Sequence, residues 1–422
     1  MRGVAPGASV AVFAEALKGA DVIVLSNEDD VMNGFVGNDV ITGNAGNDTL
    51  AGDDGNDRIL GGAGNDIISG DTGNEMISGG AGTDIATYGS AGKGVTVDLG
   101  LTAAQDTGGA GIDRLSGIEG LIGSDFADVL TGNKVANEIS GGGGDDTLLG
   151  LGGNDLLRGG RGNDRIDGGA GIDTASYEDS DARVVVTLGL AGPQDTRGGG
   201  KDTLVGIENV LGSIYDDKIV GDAGANVILG GSGADSIVGG DGNDTLYGSY
   251  GPGIYGDYGN RLNGGGGNDV LVGAYGQDTL VGGTGNDTLA GQEEPDVLTG
   301  GTGADRFVLA SDNAFYGVDL ITDFSAAQND KIGLSLTQDA FEIGFTFLAG
   351  PGGSLAASEF YSASGANTAH DDSDRIIYDS SSGALYYDAD GTGADSPCRQ
   401  IAQLGSGSTH PALTLIDFVI LA

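Results

Sequence analysis

From Gly34 to Thr87 the chain reads GFVGNDVIT, GNAGNDTLA, GDDGNDRIL, GGAGNDIIS, GDTGNEMIS and GGAGTDIAT, six consecutive units of nine residues. The sixth place holds Asp39, Asp48, Asp57, Asp66, Glu75 and Asp84; the eighth holds Ile41, Leu50, Ile59, Ile68, Ile77 and Ala86. The same phase runs back to Asp30 and Asp21, with Met32 and Ile23 at the eighth place. A second block, Gly123 to Ser176, has Asp128, Asn137, Asp146, Asp155, Asp164 and Asp173 at the sixth place. A third, Gly212 to Tyr247, has Asp217, Asn226, Asp235 and Asp244, and a fourth, Gly264 to Val308, has Asp269, Asp278, Asp287, Asp296 and Asp305. Of 23 nonads, 20 carry Asp at the sixth place. A Gly/Asp linker has no physical reason to keep an apolar residue in phase with its acids.

The pattern resembles the nonapeptide of the RTX (repeats-in-toxin, hemolysin-type) proteins, a group of exported bacterial proteins. The resemblance implies an all-β fold, a right-handed parallel β-roll stabilised by calcium. The residues agree physically. Gly at places one, two and four permits the tight turns of a half-coil. The apolar eighth residue points inward from a short strand. Two nonads make one coil, so residues eighteen apart stack at ~4.8 Å, and a thin ladder of Ile, Leu and Val forms only when coils stack.

Stacked carboxylates at ~5 Å repel by about 3 kcal/mol at an effective dielectric of ~20. Ca²⁺ is a hard cation that accepts carboxylates and backbone carbonyls together. The resemblance implies that turn carbonyls and the twenty sixth-place Asp hold ions between coils. Twelve Asp pairs lie eighteen apart: 21–39, 30–48, 39–57, 48–66, 66–84, 128–146, 146–164, 155–173, 217–235, 269–287, 278–296 and 287–305. About twelve ions would bring the net charge from −44 to −20. Without calcium the roll is expected to stay unfolded. Sites at Glu75, Asn137 and Asn226 are expected to be weak or absent. Residues 248–263 read as two eight-residue units, GSYGPGIY and GDYGNRLN, that lack the sixth-place Asp and predict a calcium-poor seam.

Two spacers, Tyr88–Ile122 and Tyr177–Leu211, align without gaps at an offset of 89 with 16 identities. Each has a strand signal, Val95–Leu99 or Val184–Leu188, a polar loop with Asp106 and Asp113 or Asp195 and Asp202, and a Gly-Ile-Glu phrase ending in Glu119 or Glu208. A wider coil with a projecting loop is the expected form. The organisation reads as an N-terminal cap or linker (1–20), blocks at 21–87, 123–176 and 212–308, spacers at 88–122 and 177–211, and a C-terminal domain at 309–422. Val10, Phe13, Ala14 and Leu17 follow helical spacing after Ser9. Arg2 and Glu15 make a poor secretory signal.

Past Ala304, GADRFVL, Asp319–Phe324, Asp330-Lys-Ile, Ile377-Tyr-Asp379 and Gly383–Gly391 resemble the serralysin-type C-terminal domain, which implies a β-rich cap and an export signal. The tail Asp417–Ala422 resembles that of type I secretion substrates. Asp388, Asp390 and Asp395 could form one further calcium loop, although no Glu completes an EF-hand pattern.

The composition excludes other classes. Asp outnumbers Glu 51 to 11 against 18 Lys plus Arg, so a phosphate backbone would be repelled. Cys398 is the single cysteine, so no intrachain disulfide forms. His370 and His410 lack zinc-site spacing. No apolar run reaches the ~18 residues of a membrane span. There is no H-E-x-x-H and no G-x-S-x-G. Gly251–Gly256 matches G-x-G-x-x-G by letters without a strand–helix context, so no nucleotide site is read there. The expectation is a secreted or cell-surface calcium-binding protein without a catalytic centre of its own, exported by type I machinery, with a structural or adhesive role. The rivals are the secretion and folding module of a larger exoenzyme, and an adhesin that binds surface or matrix polysaccharide through the spacer loops or through Tyr247, Tyr250, Tyr255 and Tyr258.

Overall fold

The computed structural model describes residues 19–249, 259–309, 317–335, 355–388, 391, 398–405 and 410–421. The helix expected within residues 1–19, Tyr250, Tyr255 and Tyr258, and the loop around Asp390 and Asp395 lie outside the described residues. Among those described, all regular structure is β apart from one 3₁₀ turn, Leu415–Asp417. Among the described residues, no helix is long and apolar enough to cross a membrane. The chain divides into two compact units, one of residues 1–180 with 190–207, the other of 181–189 with 208–422.

In the first unit, successive nonads place strands alternately in two parallel rows. One row runs Val22–Val24, Val40–Ala45, Arg58–Ala63, Met76–Ala81; the other begins Val31–Asn33, Thr49–Ala51, Ile67–Ser69, Ile85–Thr87. The register is eighteen residues, Ile41 beside Ile59 and Leu50 beside Ile68. It puts each eighth-place side chain directly over the next. Ile41, Ile59, Ile68 and Ile77 are all fully buried, while seventh-place residues such as Val31 and Met76 face outward, because strand side chains alternate. Several strands run longer than the three residues around the eighth place: Val40–Ala45 carries its pairing on into the turn, Asn44 opposite Gly62 and Ala45 opposite Ala63.

At Tyr88 the nonads end but the roll does not. Ile112–Ser116 lies parallel on Met76–Ala81 with Leu115 opposite Ile77, and Gly120–Ile122 lies on Ile85–Thr87 with Leu121 opposite Ala86. The residues between leave the coil and return. Within them Thr96–Asp98 pairs with Val129–Thr131, and Gln105–Asp106 pairs antiparallel with Ile112–Asp113. The second spacer repeats this: Leu204 stacks on Ile166, and Gln194–Asp195 pairs antiparallel with Lys201–Asp202.

In the second unit, described by itself, strands again form two parallel rows with an eighteen-residue register, for example Ile219 on Ile237 and Leu271 on Leu289. The reading of 248–263 as two shortened nonads is corrected. The register jumps to 25, with Leu262 on Ile237 and Leu271 on Leu246, so one coil holds seven extra residues and the nonad phase then resumes. Asn260 thereby takes the sixth place. Beyond the last nonad, Asp319–Ile321 and Lys331–Ser335 each add a parallel strand, and Phe418–Leu421 closes one row beside Lys331–Ser335. The other row ends in a meander: Arg399–Leu404 lies parallel to Asp319–Ile321, and Ala384–Tyr387 and Ile376–Asp379 follow antiparallel. The change to antiparallel pairing, with Ile376, Ile377, Tyr378 and Leu385 fully buried, forms the β-rich C-terminal cap.

Candidate metal centre

The sixth-place acids form a ladder along the turns. In all twelve eighteen-residue pairs, Oδ1 of the later Asp accepts the backbone N–H of the earlier one, at 2.6–3.0 Å. One carboxylate oxygen is therefore used in aligning coils. Apart from Asp21 and Asp30 in the first coil, which are half-buried, the predicted Asp residues are buried. Oδ2 of Asp39, Asp48, Asp57, Asp66, Asp84, Asp146, Asp155, Asp164, Asp244, Asp269, Asp287, Asp296 and Asp305 has no hydrogen-bond partner.

Those oxygens face turn carbonyls across a gap that only glycine leaves open. A Cβ on Gly43 would lie 2.1 Å from Asp48 Oδ2 and 2.4 Å from the Gly61 carbonyl oxygen; on Gly61 it would lie 2.1 Å from Asp66 Oδ2 and 2.8 Å from the Gly79 oxygen. A buried carboxylate left without donors is costly. Burial first, and neighbouring carboxylates with it, raise Asp146 and Asp164 to about 7 and Asp57, Asp155, Asp244 and Asp287 to about 6. The ion pairs of Arg158, Arg165 and Arg197 go to Glu138, Asp167 and Asp195, off the ladder. Unpartnered carboxylate oxygens beside backbone carbonyls, with no thiolate or imidazole, make a donor set that fits a hard divalent cation.

Some predicted positions are closed by the chain itself. Oδ2 of Asp30 accepts the Ser26 N–H and hydroxyl at 2.9 and 2.8 Å. Oδ2 of Asp128 accepts the Ser124 N–H at 2.6 Å, and Oδ2 of Asp217 the Ser213 N–H at 2.5 Å. At Asn137 and Asn226, Oδ1 accepts the N–H of Asn133 and Asp222, and Nδ2 donates to the carbonyls of Glu119 and Glu208 at 2.9 and 2.8 Å. The amide thus supplies a proton where an Asp leaves an oxygen open.

Sequence reasoning missed several rungs. Asp113, Glu119, Asp202, Asp319 and Asp330 accept the N–H of Glu75, Asp84, Asp164, Asp296 and Asp305, so the spacer and C-terminal residues take the sixth place too. Asp269 does the same for Asp244 across the insert. The signal was an acid two residues before an apolar one, as in Asp113-Arg-Leu115, out of nonad phase. A second ladder also escaped notice: fifth-place Asn47 and Asn65 accept the N–H of Asn65 and Thr83 at 2.8 and 2.9 Å, running opposite to the Asp ladder.

A parallel roll whose turn edges stack buried carboxylates against carbonyls defines a cation-binding β-solenoid. The family model of the RTX calcium-binding nonapeptide repeat matches residues 16–50, 51–86, 122–157, 140–175, 210–250, 254–289 and 281–315, more than half of the chain. The chain belongs to this RTX family, and its repeats are calcium-binding. No curated protein matches the chain significantly.

Proposed function

We propose that this is an exported RTX protein that folds as it takes up extracellular calcium and then serves a structural, surface or adhesive role, with no catalytic centre of its own. The observation that carries the reading is the stack of buried Asp oxygens left without partners while their neighbours align the coils. Bound calcium supplies the positive charge that those carboxylates lack. The chain's own residues do the rest: Oδ1 fixes the register, glycine keeps the cradle open, and the eighth-place ladder excludes water. With a net charge of −44 and a thin core, the metal-free chain is held open by self-repulsion. An open chain suits passage through a type I channel, and millimolar extracellular calcium suits the affinity range of extracellular modules.

About twelve ions per chain is the expected load, one for each eighteen-residue Asp pair; the Ser-closed rungs at Asp30, Asp128 and Asp217 favour a number at or below that. The C-terminal meander, with the strand Phe418–Leu421 beside Lys331–Ser335, supports a serralysin-like cap that carries the export signal. A far-UV circular dichroism titration from chelator into Ca²⁺, repeated with Mg²⁺, tests the reading. A cooperative coil-to-β transition near millimolar Ca²⁺ and not with Mg²⁺ is expected. A chain already β-rich in chelator would remove the export switch.

A further inference from the structure

A groove of about 510 Å³ lies on the outer face of the first unit, between the roll and the excursion of the second spacer. That volume falls in the ~300–1,000 Å³ range of small-molecule sites. Its floor consists of outward residues on three adjacent strands: Thr147 lies beside Arg165, and Arg165 beside Thr203. Strand side chains alternate, so these three face away from the buried Leu148, Ile166 and Leu204. Pro193, on the excursion, forms the far side. Asp146 and Asp164 of the ladder border the groove as well, but their Oδ2 atoms belong to the glycine cradles, 2.3 and 2.4 Å from a Cβ built on Gly141 and Gly159.

The near wall is held in place by the chain. Asp145 Oδ1 accepts the backbone N–H of Asn163 at 2.8 Å and its side-chain amide at 2.9 Å, and Asn163 Oδ1 accepts the Lys201 N–H at 3.1 Å. Lys201 makes no ion pair among the described residues, and Arg165 is paired with Asp167 on its own strand. The chain has 18 Lys plus Arg against 62 acids, so two cations at one groove are a local departure.

The internal duplication supplies the comparison. At an offset of 89 the first copy has Arg114 in place of Thr203, with Ile112 and Ala104 in place of Lys201 and Pro193. There Arg114 Nε donates to the Thr102 carbonyl at 3.0 Å and ties the strand to the excursion. Thr203 is too short for that tie. The second copy therefore has a short hydroxyl side chain where the first has a bridging cation, and an ammonium on the wall where the first has an apolar residue.

We propose that this groove binds an uncharged saccharide unit of a surface or matrix polymer. A carboxylate (Asp145), an amide (Asn163), an ammonium (Lys201) and the hydroxyls of Thr147 and Thr203 set acceptors and donors side by side, and a sugar hydroxyl both donates and accepts. An anionic ligand would meet Asp145 and the field of a chain with net charge −44. An apolar ligand would bury these polar groups without partners. The inference rests on the calcium-loaded fold and gives the proposed adhesive role a ligand class.

The test uses the full chain in saturating Ca²⁺. Cello-, malto- and manno-hexaose are titrated by calorimetry and by saturation-transfer NMR, with oligogalacturonate as the acidic counterpart. Thr203→Arg and Lys201→Ile each install the residue of the first copy. Wild type is expected to bind at least one neutral hexasaccharide at one site per chain. Thr203→Arg should lose that binding, and Lys201→Ile should weaken it about tenfold, the worth of a hydrogen bond to a charged group. Absence of binding to every neutral hexasaccharide, or binding of oligogalacturonate alone, would overturn the ligand class. Undiminished affinity in a folded Thr203→Arg would overturn the place. If that variant failed to fold, unchanged affinity in Lys201→Ile, altered only at an exposed side chain, would do the same. Circular dichroism of the same samples reports calcium-driven folding separately, so a folded wild type that binds no sugar removes the groove and leaves the folding reading intact.

Discussion

Asp48 gives one carboxylate oxygen to the backbone N–H of Asp30, at 2.8 Å, and keeps the other buried without a partner. The same side chain aligns two coils and leaves one oxygen for a cation. The two roles separate by mutation. Asp48→Asn keeps the Oδ1 acceptor and can turn its Nδ2 to a turn carbonyl, as Asn137 does to Glu119. It should fold in excess calcium, bind fewer ions and need more calcium to fold. Asp48→Ala loses both roles and should cost a further ~1–3 kcal/mol. Calcium titrations followed by circular dichroism would rank the two; equal midpoints would mean that Oδ1 does not set the register.

Gly43→Ala should fail at the cradle. Its Cβ would stand 2.1 Å from Asp48 Oδ2 and 2.4 Å from the Gly61 carbonyl, and overpacking of this kind costs roughly 1–3 kcal/mol. Gly92→Ala, with nothing within 4 Å of its Cβ, is the matched control. Melting temperatures in saturating calcium would show a drop for the first and little change for the second.

Acid should partly replace calcium. Burial raises Asp57 and Asp155 to about 6 and Asp146 and Asp164 to about 7, from an ordinary 3.8. A carboxyl raised in the fold contributes stability that is full below its unfolded value and is lost as pH rises through the folded one. The window therefore runs from about pH 4 to about pH 7. In chelator, β signal should grow as pH falls through this window. At neutral pH calcium should restore it with release of protons, measurable in weak buffer. A flat β signal across the window would show that carboxylate charge does not hold the metal-free chain open.

The eighth-place ladder should be cooperative along its length. Ile59 and Leu246 are fully buried, and truncation of either to Ala should cost about 2–5 kcal/mol. Hydrogen exchange in calcium would show the loss spreading to coils on both sides, since no nonad buries its apolar residue alone. Loss confined to one turn would contradict the stacked core.

Sequence alone determined the coil. A nine-residue period with Gly at the turns, Asp at the sixth place and an apolar eighth residue, taken with the two nonads per coil of the β-roll that the RTX resemblance implies, sets a stacking distance of eighteen residues, and the rows, the core and the pairing of Asp with Asp follow it. It did so because each of these relations is local or periodic. The tertiary structure decided what has no period. It placed Asp113, Asp202 and Asp319 on the ladder, since the excursions before them can be of any length once their ends close on the roll. It showed seven residues inserted in one coil where the letters suggested two short nonads. It also distinguished an Asp closed by Ser124 from one left open. That difference depends on which donor reaches a carboxylate oxygen, and a shift of one bond length decides that.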